Sequence, residues 1–372
     1  MEYGRQQIEK LENRLGKGKA IVILGPRQVG KTTLIHTLLK DKEYLFLNAD
    51  DPQVRTSLTN PNTEELKLIV GDYKYLFIDE AQLIPNIGRT LKIITDTMQE
   101  VQLVVSGSSS LDLANQLNEP LTGRKREFQL FPISWKELED KEGYLAAKQQ
   151  LKHRLIYGFY PEVLNSKGGE PEVLKELMSS YLYKDILVLG GIRKPQFLEK
   201  LVKALALQLG SEVSYNELSQ LVGVDKNTIS NYIDLLEKGF VLFRLGSFSG
   251  NIRNEIKTNQ KIYFYDVGIR NAVIGNFNAI ENRTDIGGLW ENFLIAERIK
   301  QIAYSGKIQS NYFWRTKQQQ EIDWVEESAG KISGFEFKWN PKAKVRIPKK
   351  FVETYDAEVK VYHSENFREF VV

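Results

Sequence analysis

The sequence has 372 residues, 42% hydrophobic and 27% charged, which is enough for two or three domains with real cores. Lys plus Arg number 51 against 48 for Asp plus Glu, so the formal charge of +3 excludes a uniformly basic nucleic-acid coat while allowing a local basic patch. Cysteine is absent, which excludes disulfides, thiolate metal sites and cysteine nucleophiles, and His36, His153 and His363 are too scattered for a histidine metal site. No apolar run approaches the roughly 20 residues that cross a bilayer, and residues 1–10 lack the apolar core of a signal peptide. The expected location is the cytoplasm, with no membrane partner.

Along the first third, short apolar runs alternate with helical patterns, the mark of βαβ units around a parallel sheet. Strands are expected at 20–24, 44–48, 74–79 and 101–106, each a near-continuous apolar run suited to burial on both faces, with a shorter fifth at 127–130. Near residue 142 the character becomes helical, with apolar spacing of three and four residues through 174–189 and 197–209. Strands return after Arg244, at 261–265, 312–315, 322–325 and 335–338, with a strong helix at 290–302. The expected fold class is α/β, divided into segments 1–142, 143–250 and 251–372.

Gly25-Pro26-Arg27-Gln28-Val29-Gly30-Lys31-Thr32 fits the pattern G-x-x-x-x-G-K-[ST], and Thr33 follows it. An apolar strand enters this loop and a helical run leaves it, as a phosphate cradle requires. The glycines let successive N–H groups point at phosphate oxygens, and the helix start adds partial positive charge. The pattern predicts ATP and Mg²⁺ as ligands, with Lys31 on the β- and γ-phosphates and the Thr32 hydroxyl on the metal. Residues 75–80 form an apolar strand ending in Asp79 and Glu80. Asp79 stands where an aspartate supports Mg²⁺, and Glu80 where a base polarises the attacking water. Ser106 and Ser108, at the end of the next strand, are both candidates to hold that water or the γ-phosphate. Arg124 is a candidate to reach a γ-phosphate in a neighbouring copy, in competition with Lys125 and Arg126.

Taken together, GPRQVGKTT, FIDEAQ, SGSSS, LTGR and FPISWKEL resemble a widespread prokaryotic group of AAA-type ATPases. That group joins the P-loop ATPase domain to a C-terminal domain of uncharacterised function related to the PD-(D/E)XK nucleases. GFYPE at 158–162, FYDVGIRN at 264–271, GGLWENFL at 287–294 and WRTKQQQEIDWV at 314–325 extend the resemblance over nearly the whole chain. It implies an ATPase acting as a homo-oligomer.

In the middle segment, Ser214 and Glu217 have capping-box form, and Gly223 and Asp225 separate a first helix from a second at 226–238. A strand at 240–245 completes the order of a winged helix-turn-helix. Lys226, Asn227, Ser230 and Asn231 would face a nucleic acid, but Asp234 and Glu237 share their helix. In the last segment, Asp323 lies on one strand, and Glu336 and Lys338 share a face of the next. Two carboxylates on Mg²⁺ with a lysine beside them is the PD-(D/E)XK arrangement, and Glu291 matches its additional helix acid, with Glu321 a spare. Lys342, Lys344, Arg346, Lys349 and Lys350 form a basic stretch suited to a phosphate backbone.

The leading expectation is an ATPase whose cycle acts on a nucleic acid or protein partner. An ATP-gated, metal-dependent DNA nuclease and a nucleotide-dependent switch with an inactive C-terminal domain stand as alternatives.

Overall fold

The structure, a computed structural model, describes residues 3–108, 117, 120–179, 194–249 and 260–372. Ser109, Ser110 and the later part of the expected helical run 174–189 lie outside the described residues. The chain separates into two units, residues 2–132 with 238–240, and residues 133–237 with 241–372.

In the first unit, β1 (Ala20–Leu24), β2 (Leu45–Asn48), β3 (Tyr75–Asp79), β4 (Gln102–Gly107) and β5 (Lys125–Gln129) pair in the order β2-β3-β4-β1-β5. Every pairing is parallel. β1 and β4 are buried along their whole length, which explains their unbroken apolar sequence. The register sets Leu24 beside Gly107 and Ile78 beside Val105, so the carboxyl ends of β1, β3 and β4 meet. In open parallel sheets that rim is where ligands bind. β5 starts with Lys125 beside Ala20, at the opposite end of β1.

The second unit holds one seven-stranded sheet, in the order β12-β11-β10-β9-β7-β8-β6. Its first half runs helix Pro195–Leu207, β6 (Glu212–Val213), helix Tyr215–Val222, helix Lys226–Lys238, β7 (Leu242–Ser247) and β8 (Gln260–Phe264). β8 pairs antiparallel with both β6 and β7. The second half runs helix Ile286–Ser305, β9 (Ser310–Arg315), β10 (Glu321–Ser328), β11 (Lys331–Phe337), helix Lys349–Tyr355 and β12 (Glu358–Tyr362). β9, β10 and β11 are antiparallel neighbours, and β12 returns parallel to β11. Trp314, Ile322, Val325 and Phe351 pack together beneath it.

This division differs from the expected one. The first unit ends at Pro132 rather than at 142, and the boundary expected between 250 and 251 runs between the paired strands β7 and β8. The physical reason is a parallel contact of β7 with β9, Gly246 beside Tyr312 and Ser247 beside Phe313, which fuses the two halves into one sheet.

Two further sequence blocks meet at Asp266. It caps the helix Val267–Ile274, accepting from the Gly268 and Ile269 N–H groups at 2.9 and 3.1 Å, and also accepts from Phe159 N at 2.7 Å. On the same helix Asn271 donates to the carbonyls of Leu155 and Ile156 at 3.0 and 2.8 Å, satisfying acceptors at the end of helix Tyr144–Tyr157. Among the described residues no helix is long and apolar enough to cross a membrane.

Candidate functional site

The loop between β1 and helix Lys31–Leu39 is built by close backbone approach. A Cβ on Gly25 would stand 2.0 Å from the Leu130 carbonyl oxygen, so only glycine lets the chain leave β1 beside the end of β5. Gln28 and Gly30 both take positive φ, 61° and 91°, which turns the backbone into a concave curl ahead of the helix. Lys31 is buried, and its ammonium donates to the carbonyls of Gly25 and Pro26 at 3.0 and 2.9 Å. Arg5, a residue the sequence did not single out, braces the loop by donating to the Val29 carbonyl at 3.2 Å and to the Phe131 carbonyl at 2.5 Å.

Across the sheet rim, the Thr32 hydroxyl donates to Asp79 Oδ2 at 2.7 Å, and the Ser106 hydroxyl donates to Asp79 Oδ1. Glu80 follows in the left-handed region, φ 51° and ψ 39°, a costly backbone for a non-glycine residue of the kind that collects at functional sites. Its N–H is shared between Asp79 Oδ1 at 3.2 Å and the Ser106 hydroxyl at 3.3 Å. Its side chain receives the Gln82 amide, whose Nε2 donates to Glu80 Oε2 at 2.5 Å and to the Ser108 hydroxyl at 2.9 Å. The two serines therefore part company: Ser106 touches Asp79, and Ser108 touches Gln82. Thr32 and Asp79 bring oxygen donors to one point, the donor chemistry that Mg²⁺ prefers, so these residues fit the ion.

The second constellation lies in the other unit. Asp323 on β10 and Glu336 on β11 are buried, and Lys338, just past β11, reaches Glu336 Oε2 at 3.1 Å and Asp323 Oδ2 at 3.9 Å. Asp323 Oδ2 also accepts from Phe337 N at 2.8 Å. Glu291 on helix Ile286–Ser305 and Glu321 on β10 join them, and both are paired with Lys261 of β8. Burial, with Glu291 and Glu336 nearby, holds the Asp323 carboxyl well above the usual carboxylate range. Burial raises Glu336 as well, against the pull of Lys338. For Lys338 burial acts downward, but Asp323 and Glu336 outweigh it and raise its pKa. Glu321, Asp323, Glu336 and Lys338 open on a cleft of about 810 Å³ whose wall also includes Lys344, Arg346 and Lys349. The set does not fit a divalent metal: every carboxylate in it is already met by a cation. Among the described residues no group of three or more acidic or histidine side chains is arranged to hold one.

Residues 17–139 match the AAA domain family. These residues are similar to AAA domains and contain the loop 25–32 and the strand ending in Asp79. Residues 148–279 match one domain of unknown function (DUF8612), and residues 286–371 match another (DUF4143). An uncharacterized protein of Mycobacterium tuberculosis is 27% identical over 339 residues, 90% of this chain and 73% of that protein. An uncharacterized protein of Haemophilus influenzae is 25% identical, covering 84% of this chain and 80% of its own length. The Walker-type ATPase of Pyrococcus abyssi shares the fold at a TM-score of 0.52 and 14% identity, over 73% of this chain and 96% of that one.

Within the first unit, Arg124 lies away from the loop 25–32. It precedes β5 at the amino end of the sheet, where its Nε donates to Asp96 Oδ1 at 2.5 Å. Lys125 pairs with Glu127 on the same strand. Arg5 and Gln82 escaped the sequence reading because neither belongs to the G-x-x-x-x-G-K-[ST] or Asp-Glu signatures. Gln82 did leave a signal, its place two residues after Glu80.

Proposed function

We propose that this chain hydrolyses ATP and that the cycle drives its second unit on a nucleic acid. The observation that carries the reading is the connected set Thr32, Asp79, Ser106 and Glu80 at the strand ends behind the loop 25–32. Lys31 would exchange two neutral carbonyl acceptors for charged phosphate oxygens, and a bond to a charged partner is the stronger one. Thr32 and Asp79 would hold Mg²⁺, which supplies charge neutralisation at the phosphates. Glu80 would take the proton of the attacking water. Calorimetry with Mg²⁺ tests the reading: the wild type is expected to take up ATP or ADP, and Lys31→Ala to weaken uptake about 100-fold, on the order of one charged contact of 2–3 kcal/mol. Folded wild-type protein that takes up neither nucleotide overturns it.

Gln82 acts as a positioning residue in this scheme. Its Nε2 must face the Glu80 carboxylate, since the amide oxygen would be repelled there, and this leaves its buried Oε1 without a partner among the described residues. Gln82 would therefore act on the water through Glu80, whose carboxylate its Nε2 holds in place. Gln82→Ala is expected to lower turnover about 10- to 100-fold at unchanged nucleotide affinity, because misplacing a base costs rate rather than binding. The loss should vanish in a Glu80→Gln background, and a loss of equal size there would separate Gln82 from Glu80.

For the partner, the helix Lys226–Lys238 is preceded by a turn with Gly223 in the left-handed region, and it leaves Lys226, Asn227 and Asn231 exposed. The acids on that helix are neutralised from behind: Arg244 of β7 reaches Asp234 Oδ1 at 2.7 Å and Glu237 Oε2 through its Nε at 2.8 Å. Such a face suits a winged helix on a nucleic acid better than its composition suggests. The helix–three strands–helix–strand order from Ile286 to Tyr362 supports the PD-(D/E)XK-like fold, here as a binding element. Arg124 would act, if it reaches phosphate, from a neighbouring copy in a homo-oligomer.

A further inference from the structure

We propose that Lys261 is the resident cation of the acidic cluster behind the cleft, an autoinhibitory contact whose ammonium stands between Glu291 and Glu321, near Asp323, where a divalent ion would otherwise sit. The inference concerns the second unit alone and does not depend on nucleotide hydrolysis.

Lys261 is fully buried on β8. Its Nζ lies 3.0 Å from Glu291 Oε1, pairs with Glu321, and stands over the Phe313 ring at 5.3 Å from the centroid. A lysine keeps its charge without water only where acidic groups compensate the desolvation. Here Glu291, Glu321 and Asp323 all favour the charged form. The arrangement is tight on the acid side too, because Glu291 Oε1 also accepts from the Tyr263 hydroxyl at 2.6 Å. Tyr263 sits two residues from Lys261, so the same face of β8 delivers both donors to one carboxylate oxygen.

Hard divalent cations bond oxygens at about 2.0–2.6 Å, so a metal on Glu291 Oε1 would have to displace both donors. The remaining acids offer no second place. Lys338 bridges Glu336 and Asp323, and Arg315 Nε lies 3.5 Å from Glu321 Oε2. Four carboxylates thus face three cations from β8, β9 and the end of β11, which leaves at most one excess negative charge to gather a divalent ion. Lys261 arrives on β8, one of the strands β7-β8-β6 at one end of the seven-stranded sheet, next in sequence to the helices 215–222 and 226–238. The cluster's buried cation is therefore supplied by β8 rather than by the strands that carry Glu321, Asp323 and Glu336.

Manganese titration of the nucleotide-free full chain, followed by the electron paramagnetic resonance of free Mn²⁺, tests this. Wild type is expected to show no Mn²⁺ site that Asp323→Asn removes. Lys261→Met should gain one site per chain, lost again in the double variant Lys261→Met with Asp323→Asn. Lys261→Gln, which keeps hydrogen bonding while deleting the charge, serves if Lys261→Met does not fold. A wild-type Mn²⁺ site that depends on Asp323 overturns the proposal whatever the variants do, and so does a folded Lys261 variant that gains none.

Discussion

Glu80→Gln is expected to keep nucleotide and lose turnover, with hydrolysis falling about 10²- to 10⁴-fold, the usual span for a general base. The substitution is nearly isosteric. The backbone N–H of residue 80 would still bond Asp79 and Ser106, so the left-handed turn that aims the side chain should survive. What disappears is the capacity to accept a proton. Thr32, Asp79 and Lys31 are untouched, so affinity for ATP with Mg²⁺ should stay within a factor of about two, well under the 1.4 kcal/mol that a tenfold change represents. Phosphate release and calorimetry on the same preparations check the pair of expectations. Unchanged turnover removes Glu80 from the chemistry. A parallel loss of binding would instead assign it to the nucleotide pocket.

The first unit is legible because local signals and tertiary structure agree there. β1 and helix Lys31–Leu39 occupy the residues that the apolar run and the loop pattern mark, since a strand buried on both faces and a helix opening at a phosphate loop leave unbroken signatures. Asp79 ends the expected third strand and Glu80 follows it, for the same reason. The helices 215–222 and 226–238 were readable from caps: Ser214 accepts from Glu217 N, and Asp225 accepts from Asn227 and Thr228. The second unit is less legible because its decisive contacts are long-range. Lys261 stands at the start of an expected strand, and only the folded sheet places it against an acid 30 positions later. β6 has two residues and β12 alternates exposed with half-buried positions, so neither offers a continuous apolar run. The pairing of β7 with β9 has no sequence signature at all, which is why the boundary expected at 250 cuts through one sheet. Asp323, Glu336 and Lys338 were found by pattern, but the pattern carries the acids without the counter-ions that decide what the acids can hold.

Gly268→Ala is expected to destabilise the second unit by about 2–4 kcal/mol, at the upper end for overpacking and near the range reserved for special mechanisms. The added Cβ would stand 2.1 Å from the Tyr157 carbonyl oxygen and 2.9 Å from the Gly158 nitrogen. Both are backbone atoms, so no side chain can swing aside. The displaced partner is itself pinned: Gly158 has φ 72° and sits against Asp266, and a Cβ there would fall 2.0 Å from Asp266 Oδ1. Pushing the two segments apart would lengthen the bond from Phe159 N to Asp266, leaving a buried donor and a buried carboxylate short of partners. Gly287→Ala offers the opposite case. It lies in the first turn of helix Ile286–Ser305 with nothing within 4 Å of a Cβ, so it should be neutral or stabilising by about 0.5–1 kcal/mol through helix propensity. Urea unfolding followed at the tryptophans of the second unit measures both. A Gly268→Ala midpoint equal to that of Gly287→Ala would mean that the backbone contact between residues 157–159 and 266–268 yields without cost. The two sequence blocks that meet at Asp266 would then need another explanation for their close fit.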